Sequence, residues 1–116
     1  MKTNNELQVW HKGLELILSI YSVTAKFPED KLMSQMRRSA LSIAANIAEG
    51  LNRREEFDWV CYLQIALWSM TELEYHSLLA HELSFLSVLE YDLITQCNNE
   101  VQCMMHSCFS ELCAYA

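Results

Sequence analysis

The sequence predicts an all-α fold, an antiparallel up-down four-helix bundle formed as a single domain over 1–116, and three observations lead there. The 116 residues include only two Gly and one Pro, too few turn formers for a many-stranded small fold. They are 52% hydrophobic and 20% charged, which excludes collagen-like and disordered chains. Apolar residues also recur at alternating steps of three and four, the period of a helix with one buried face. A chain of this length hides about 65% of its unfolded surface in one core.

The first helix is expected over about 5–27. Val9, Gly13, Leu16, Ile20, Val23 and Phe27 form one apolar line, and Leu7, Trp10, Leu14, Ile17 and Tyr21 form a second. Between them runs a polar line of Gln8, Lys12, Glu15, Ser19, Ser22 and Lys26, so one narrow face meets water and most of the cylinder is expected to be buried. Pro28 ends the helix, since the residue before a proline is pushed out of helical geometry.

A second helix is expected over about 29–49, opening on Glu29 and Asp30 at the positive end of its dipole and stopping at Gly50 as a left-handed cap. Met36, Ala40, Ile43 and Ile47 make its core line, while Ala44, Ala45 and Ala48 permit a close neighbour. Opposite them lie Gln35, Ser39, Ser42, Asn46 and Glu49. A solvated face is the first reading of that polar line; a buried hydrogen-bonding seam and a partner contact surface are the alternatives.

The third helix, about 53–83, is expected to start from Asn52 as N-cap with Glu55 completing a capping box. Trp59, Leu63, Ala66, Met70, Leu73 and Ala80 form its core line, and Phe57, Cys61, Trp68, Tyr75 and Leu78 form a second apolar line. The fourth, about 88–113, begins at Ser87 with Glu90 at the third helical position. Leu89, Leu93, Cys97, Val101, Met104, Cys108 and Leu112 are expected to face inward, and Asp92, Gln96, Asn99, Gln102 and Ser110 outward. The doubled apolar lines of the first and third helices exceed what one bundle needs and predict self-association, unless packing shifts along the long helices use both lines internally.

Charge is divided unevenly along the chain. Residues 1–54 hold eight basic and five acidic groups, a net +3, whereas residues 55–116 hold ten acidic groups and no Lys or Arg, a net −10. A polyanion would have to meet the first half and avoid the second; alternatively, the halves attract each other within or between chains. No 18-residue apolar run and no signal-peptide core follow the N-terminus, so a cytoplasmic protein with no membrane partner is expected.

Five cysteines without a secretory signal point to reduced thiols. Cys97, Cys103, Cys108 and Cys113 are spaced unlike any zinc or redox pair, and Cys103 with His106 would need two more ligands, so neither metal nor cofactor is expected. The Glu-x-x-His pairs of a di-iron bundle are missing, and Gly13 and Gly50 each stand alone, which leaves no phosphate loop. Glu72 and His76, one turn apart, are the single acid–base candidate, and no third group with a role accompanies them. A non-enzyme with no small-molecule substrate is the expectation.

The stretch 35–54 carries the most specific signal: Gln35-Met36-Arg37-Arg38-Ser39-Ala40, then Ser42-Ile43-Ala44-Ala45-Asn46-Ile47-Ala48-Glu49-Gly50, then Arg53-Arg54. It resembles the signature of the four-helix-bundle family of proteins encoded in intervening sequences of bacterial 23S ribosomal RNA, a family that includes the accessory variability protein of diversity-generating retroelements. The resemblance extends over about residues 7–86, through Leu7-Gln8-Val9-Trp10-His11-Lys12, Lys26-Phe27-Pro28, Phe57, Tyr62-Leu63-Gln64-Ile65-Ala66 and Glu72-Leu73-Glu74.

The resemblance implies a ring-like homopentamer and, from the retroelement members, association with RNA or DNA and with a reverse transcriptase. The candidate nucleic-acid contacts are Arg37, Arg38, Arg53 and Arg54, supported by Lys12, Lys26 and Lys31. Arg37 and Arg38 have a structural alternative, pairing with Glu49 or with a neighbouring protomer. The sequence departs from the family pattern where Glu55 and Glu56 follow Arg54 in place of the usual lysine, in shortened segments after Pro28 and before Phe57, and at Ala44 in place of a common proline. Fewer cations weaken polyanion binding and its salt dependence. An oligomeric protein-interaction scaffold that recruits a basic partner through its acidic half is the alternative function.

Overall fold

The computed structural model describes residues 4–53 and 56–114, with side chains over 4–53 and 58–110. Four helices follow one another: α1 (Asn4–Thr24), α2 (Asp30–Asn52), α3 (Glu56–Glu82) and α4 (Val88–Ala114). Each packs on its neighbour in sequence, α1 also packs on α4, and the α2–α3 contact is the most extensive. The result is an all-α up-down bundle 47 Å long and 21 × 17 Å across.

The core follows the expected lines on three helices. Val9, Gly13, Leu16 and Ile20 of α1, Met36, Ala40, Ile43 and Ile47 of α2, and Trp59, Ala66, Met70, Leu73 and Ala80 of α3 are all buried. Trp59 stacks on Phe109, with ring centroids 5.1 Å apart. Gly13 faces Ala44, where an added Cβ would lie 3.4 Å from that alanine's Cβ, so α1 and α2 approach closely through their smallest residues.

On α4 the expected inward line is wrong in its first half. Leu89 and Leu93 are 69% and 58% exposed, and the buried line is instead Ile94, Asn98, Val101, Met105, Cys108 and Phe109. The polar member of that line, Asn98, donates Nδ2–H to the Met70 carbonyl at 3.1 Å. A hydrogen-bonded amide thus holds a core position that apolar periodicity assigns to its neighbours.

The helix ends differ in instructive ways. Glu29 caps α2, its carboxylate accepting from the backbone N–H groups of Lys31 and Leu32 at 2.8 Å. Gly50 is not a left-handed cap: α2 continues to Asn52, and no described glycine has a positive φ. Its lack of a side chain serves packing, because a Cβ there would sit 3.0 Å from Phe109 Cζ and 3.2 Å from Tyr62 Cβ. Asn52 is accordingly the last residue of α2, not the N-cap of α3, and its expected capping partner Glu55 lies outside the described residues. Phe57 and Cys113 also lie outside the described side chains.

Two devices join α3 to α4. Ser84, at φ 65°, closes α3 with hydrogen bonds from Ser84 N–H to the His81 carbonyl and from Phe85 N–H to the Ala80 carbonyl, the Schellman pattern with serine in the place glycine prefers. Ser87 and Glu90 then form the expected capping box, each side chain accepting from the other's backbone N–H, at 3.1 and 2.9 Å. Lys26 reaches the same Glu90 carboxylate at 2.6 Å.

Replacing Ser84 with glycine is expected to raise unfolding free energy by roughly 0.5–1 kcal/mol, measured by urea denaturation, because the left-handed backbone no longer crowds a Cβ. Glu90 supplies a pH test. Its hydrogen bonds from Lys26 and from the Ser87 N–H lower its carboxyl pKa below the ordinary 4.5. The stabilisation is therefore present above pH 4.5 and disappears as pH falls through the lower, folded-state value. Glu90→Gln keeps the capping geometry, so wild type should be the more stable at pH 7 and the difference should shrink towards zero in acid.

Candidate functional site

The middle of α2's polar line, at Ser39 and Ser42, is a seam against α3, whereas Glu49 at its end is exposed. Ser39, buried, donates Oγ–H to Glu72 Oε1 at 2.9 Å; Ser42 Oγ and Ser69 Oγ are 2.8 Å apart; Asn46 Nδ2 donates back to the Ser42 carbonyl at 2.8 Å. The solvated-face reading fails because short hydroxyls here satisfy one another between two closely packed helices. Glu72 is thereby engaged with α2, and His76 Nδ1 is buried with no hydrogen-bond partner.

The seven candidate basic residues do not form one patch. Lys12 bridges Glu15 at 3.0 Å and Glu100 at 2.6 Å, and these two carboxylates raise its pKa well above the usual lysine range. The Lys12 ammonium in turn holds Glu100 below the ordinary carboxylate range. Lys26 is paired with Glu90. Arg53 lies 3.4 Å from Glu49 and 4.0 Å from Asp58, with its guanidinium 5.6 Å from the centroid of the Tyr62 ring.

Arg37 serves the fold. Its Nε donates to Thr24 Oγ1 at 2.9 Å, its Nη2 to the Tyr21 carbonyl at 3.2 Å, and its guanidinium stacks 4.4 Å over the Tyr21 ring. Thr24 itself donates to the Ile20 carbonyl at 2.6 Å, so the last turn of α1 is capped by a cation from α2. Neither alternative pairing anticipated for Arg37 includes these acceptors. Arg38 and the Lys31 side chain are exposed on the outer side of α2 and make no ion pair with a described residue. Arg54 lies outside the described residues.

The second apolar lines of α1 and α3 lie open. On α1, Leu7, Trp10, Leu14 and Tyr21 are exposed, and Leu18 is 61% exposed beside them. This side of α1 is therefore not covered within the protomer, as its surplus apolar line implies for a bundle taken alone. On α3, Trp68 and Tyr75 are 65% and 69% exposed, with Cys61, Ile65, Leu78 and Leu79 nearby on the outer surface. Exposed aromatic and aliphatic residues on consecutive turns are the dominant surface feature.

Comparison with known proteins agrees with this architecture. The model of the 23S rRNA-intervening sequence protein family matches residues 5–107. The chain belongs to that family. A crystal structure of a protein of unknown function from the S23 ribosomal protein family of Bacteroides thetaiotaomicron VPI-5482, at 1.70 Å, superposes with a TM-score of 0.79. It is 27% identical, and the alignment covers 89% of this chain and 96% of that one. No curated protein matches at a comparable level. Among the described residues of this intervening-sequence protein, no helix is long and apolar enough to cross a membrane, and no three His, Cys, Asp or Glu residues converge as a metal site. Cys61, Cys97 and Cys103 are free thiols, and burial raises the pKa of Cys97.

The two adjacent arginines should separate in a stability assay. Arg37→Ala is expected to cost about 1–2 kcal/mol in urea denaturation, through lost charge-assisted hydrogen bonds and ring stacking. Arg38→Ala should stay within about 0.5 kcal/mol of wild type.

Proposed function

We propose that this intervening-sequence protein is a non-catalytic homo-oligomer, a ring that the family resemblance sets at five copies, and that it works in the cytoplasm as an interaction scaffold. The observation that carries this reading is the row of open apolar side chains on α1 and α3, led by Trp68 and Tyr75. Burying them between copies is favourable at about 25 cal/mol per Å² of apolar surface. The scaffold's outer charge is acidic, through Glu74, Glu82 and Asp92, which are all exposed and suit a basic protein partner.

Nucleic-acid association, with RNA or DNA and a reverse transcriptase as accompanying partners, is the second reading, and one observation favours it. Arg38 and Lys31 stand seven residues apart on the outer face of α2, two helical turns, without a described counter-ion. Lys12, Lys26 and Arg53 already have carboxylate partners, which weakens that reading relative to the scaffold.

Light scattering behind size exclusion at micromolar concentration should give a single species several times the 13.5 kDa chain mass. A protomer-sized peak would remove the scaffold reading. Filter binding of RNA, DNA and hybrid at two salt concentrations decides the second: retention at low salt that disappears in the Lys31→Glu, Arg38→Glu variant supports it, and no retention at low salt ends it.

A further inference from the structure

The first turns of α2 and the last turns of α3 meet at one end of the bundle and leave a pocket of about 330 Å³ between them. Its walls are apolar: Leu32 on α2, Leu79 and Leu83 at the end of α3, and Phe85 in the turn before α4. Phe85 is held from two directions, by its N–H on the Ala80 carbonyl at 2.8 Å and by the Phe27 ring, whose centroid is 5.4 Å away. The bundle itself therefore sets the pocket's shape, as in most small-molecule sites.

Three polar side chains line the same pocket without a partner among the described residues. Lys31, exposed at the rim, makes no ion pair; Gln35, one turn further along α2, makes no side-chain hydrogen bond; His76, facing them from α3, has its Nδ1 buried and unsatisfied. Buried polar atoms ordinarily find a hydrogen bond, so an orphan on a cavity-lining residue is an opening for a bound molecule. The carboxylate nearby is already committed. Glu29 Oε1 and Oε2 accept from the backbone N–H groups of Leu32 and Lys31 at 2.8 Å each, where the positive end of α2 offsets its charge. The Lys31 ammonium is thus the charge left to a ligand.

We infer that this pocket binds a small organic anion, an apolar body with one carboxylate, its head towards Lys31 and His76 and its body against the leucines and Phe85. Lys31 supplies a charge-assisted hydrogen bond, the His76 ring and the Gln35 amide supply neutral ones, and the walls take the apolar part out of water. A cation of the same shape meets the Lys31 charge, and an uncharged molecule leaves the polar groups unpaired, so the head group decides what is held. Small-molecule sites run from roughly 300 to 1,000 Å³. At about 330 Å³ this one suits a short-chain or single-ring acid better than a long lipid. All its residues belong to one chain, so the site forms whether or not copies assemble.

Octanoate is the probe, with 1-octanol and octylamine carrying the same chain under a neutral and a positive head. Equilibrium dialysis against the full chain should find one octanoate per chain, half-saturating at about 1 mM or below, with the alcohol and the amine held at least about tenfold more weakly. Lys31→Glu, at an exposed position, should weaken octanoate by about tenfold or more. His76→Phe keeps a ring and removes its N–H; it should weaken octanoate about threefold and melt no lower than wild type, because the protein loses no hydrogen bond. Amide shifts on titration should centre on residues 29–35 and 76–85. The assignment is overturned by any of four results: no saturable octanoate binding, the amine held as tightly as the acid, unchanged affinity in Lys31→Glu, or shifts centred on the exposed rows around Trp10 and Trp68. A His76→Phe variant that melts lower yet binds octanoate as wild type does would return that ring to the core and remove it from the site.

Discussion

The close approach of α2 to α3 is the constraint on which the other features of the bundle depend. Ser39, Ser42 and Gly50 give α2 a side thin enough for α3 to lie against it, and the two serine hydroxyls pair with Glu72 and Ser69. Small interlocking groups leave no room in that seam for large residues. The bulky members of α3 that do not reach the core, Trp68 and Tyr75, consequently stand on its outer surface. The polar seam and the apolar exterior of α3 are two results of one packing choice.

The division of charge along the chain has an internal outlet. Lys12 and Lys26, both on the first-half side of the boundary, bind Glu100 and Glu90 of α4. These bridges tie α1 and the turn that follows it to α4, far apart in sequence. Exposed bridges of this kind are screened by solvent, so their effect is on alignment more than on stability. They also withdraw two cations from any role towards a polyanion, and Arg37 is withdrawn by the end of α1.

Much of this is legible in the residues alone. The core lines of α1 and α2 can be read because each repeats without a polar interruption, that of α3 despite Ser77, buried between Leu73 and Ala80, and the Ser87–Glu90 box because its two partners are local. α4 was misread where Asn98 occupies a core position, since Leu89 and Leu93 make the more apolar line beside it. Gly50 looked like a stop signal because the rings that crowd it, Phe109 and Tyr62, come from distant parts of the chain. The exposed lines of α1 and α3 were visible as surplus apolar periodicity, whereas the role of Arg37 was not. Its acceptors are a carbonyl and a hydroxyl thirteen to sixteen residues away that become neighbours only when α1 and α2 pack.

Asn98 has a mechanical consequence for the whole molecule. Sliding α4 by one turn would move its Nδ2 donor by about 5.4 Å relative to the Met70 carbonyl and leave that donor unsatisfied among apolar side chains, at about 1–3 kcal/mol. Leu and Val side chains alone would tolerate such a slide far better. One amide therefore acts as a detent, giving a greasy interface a single rest position and keeping the two ends of the rod in step.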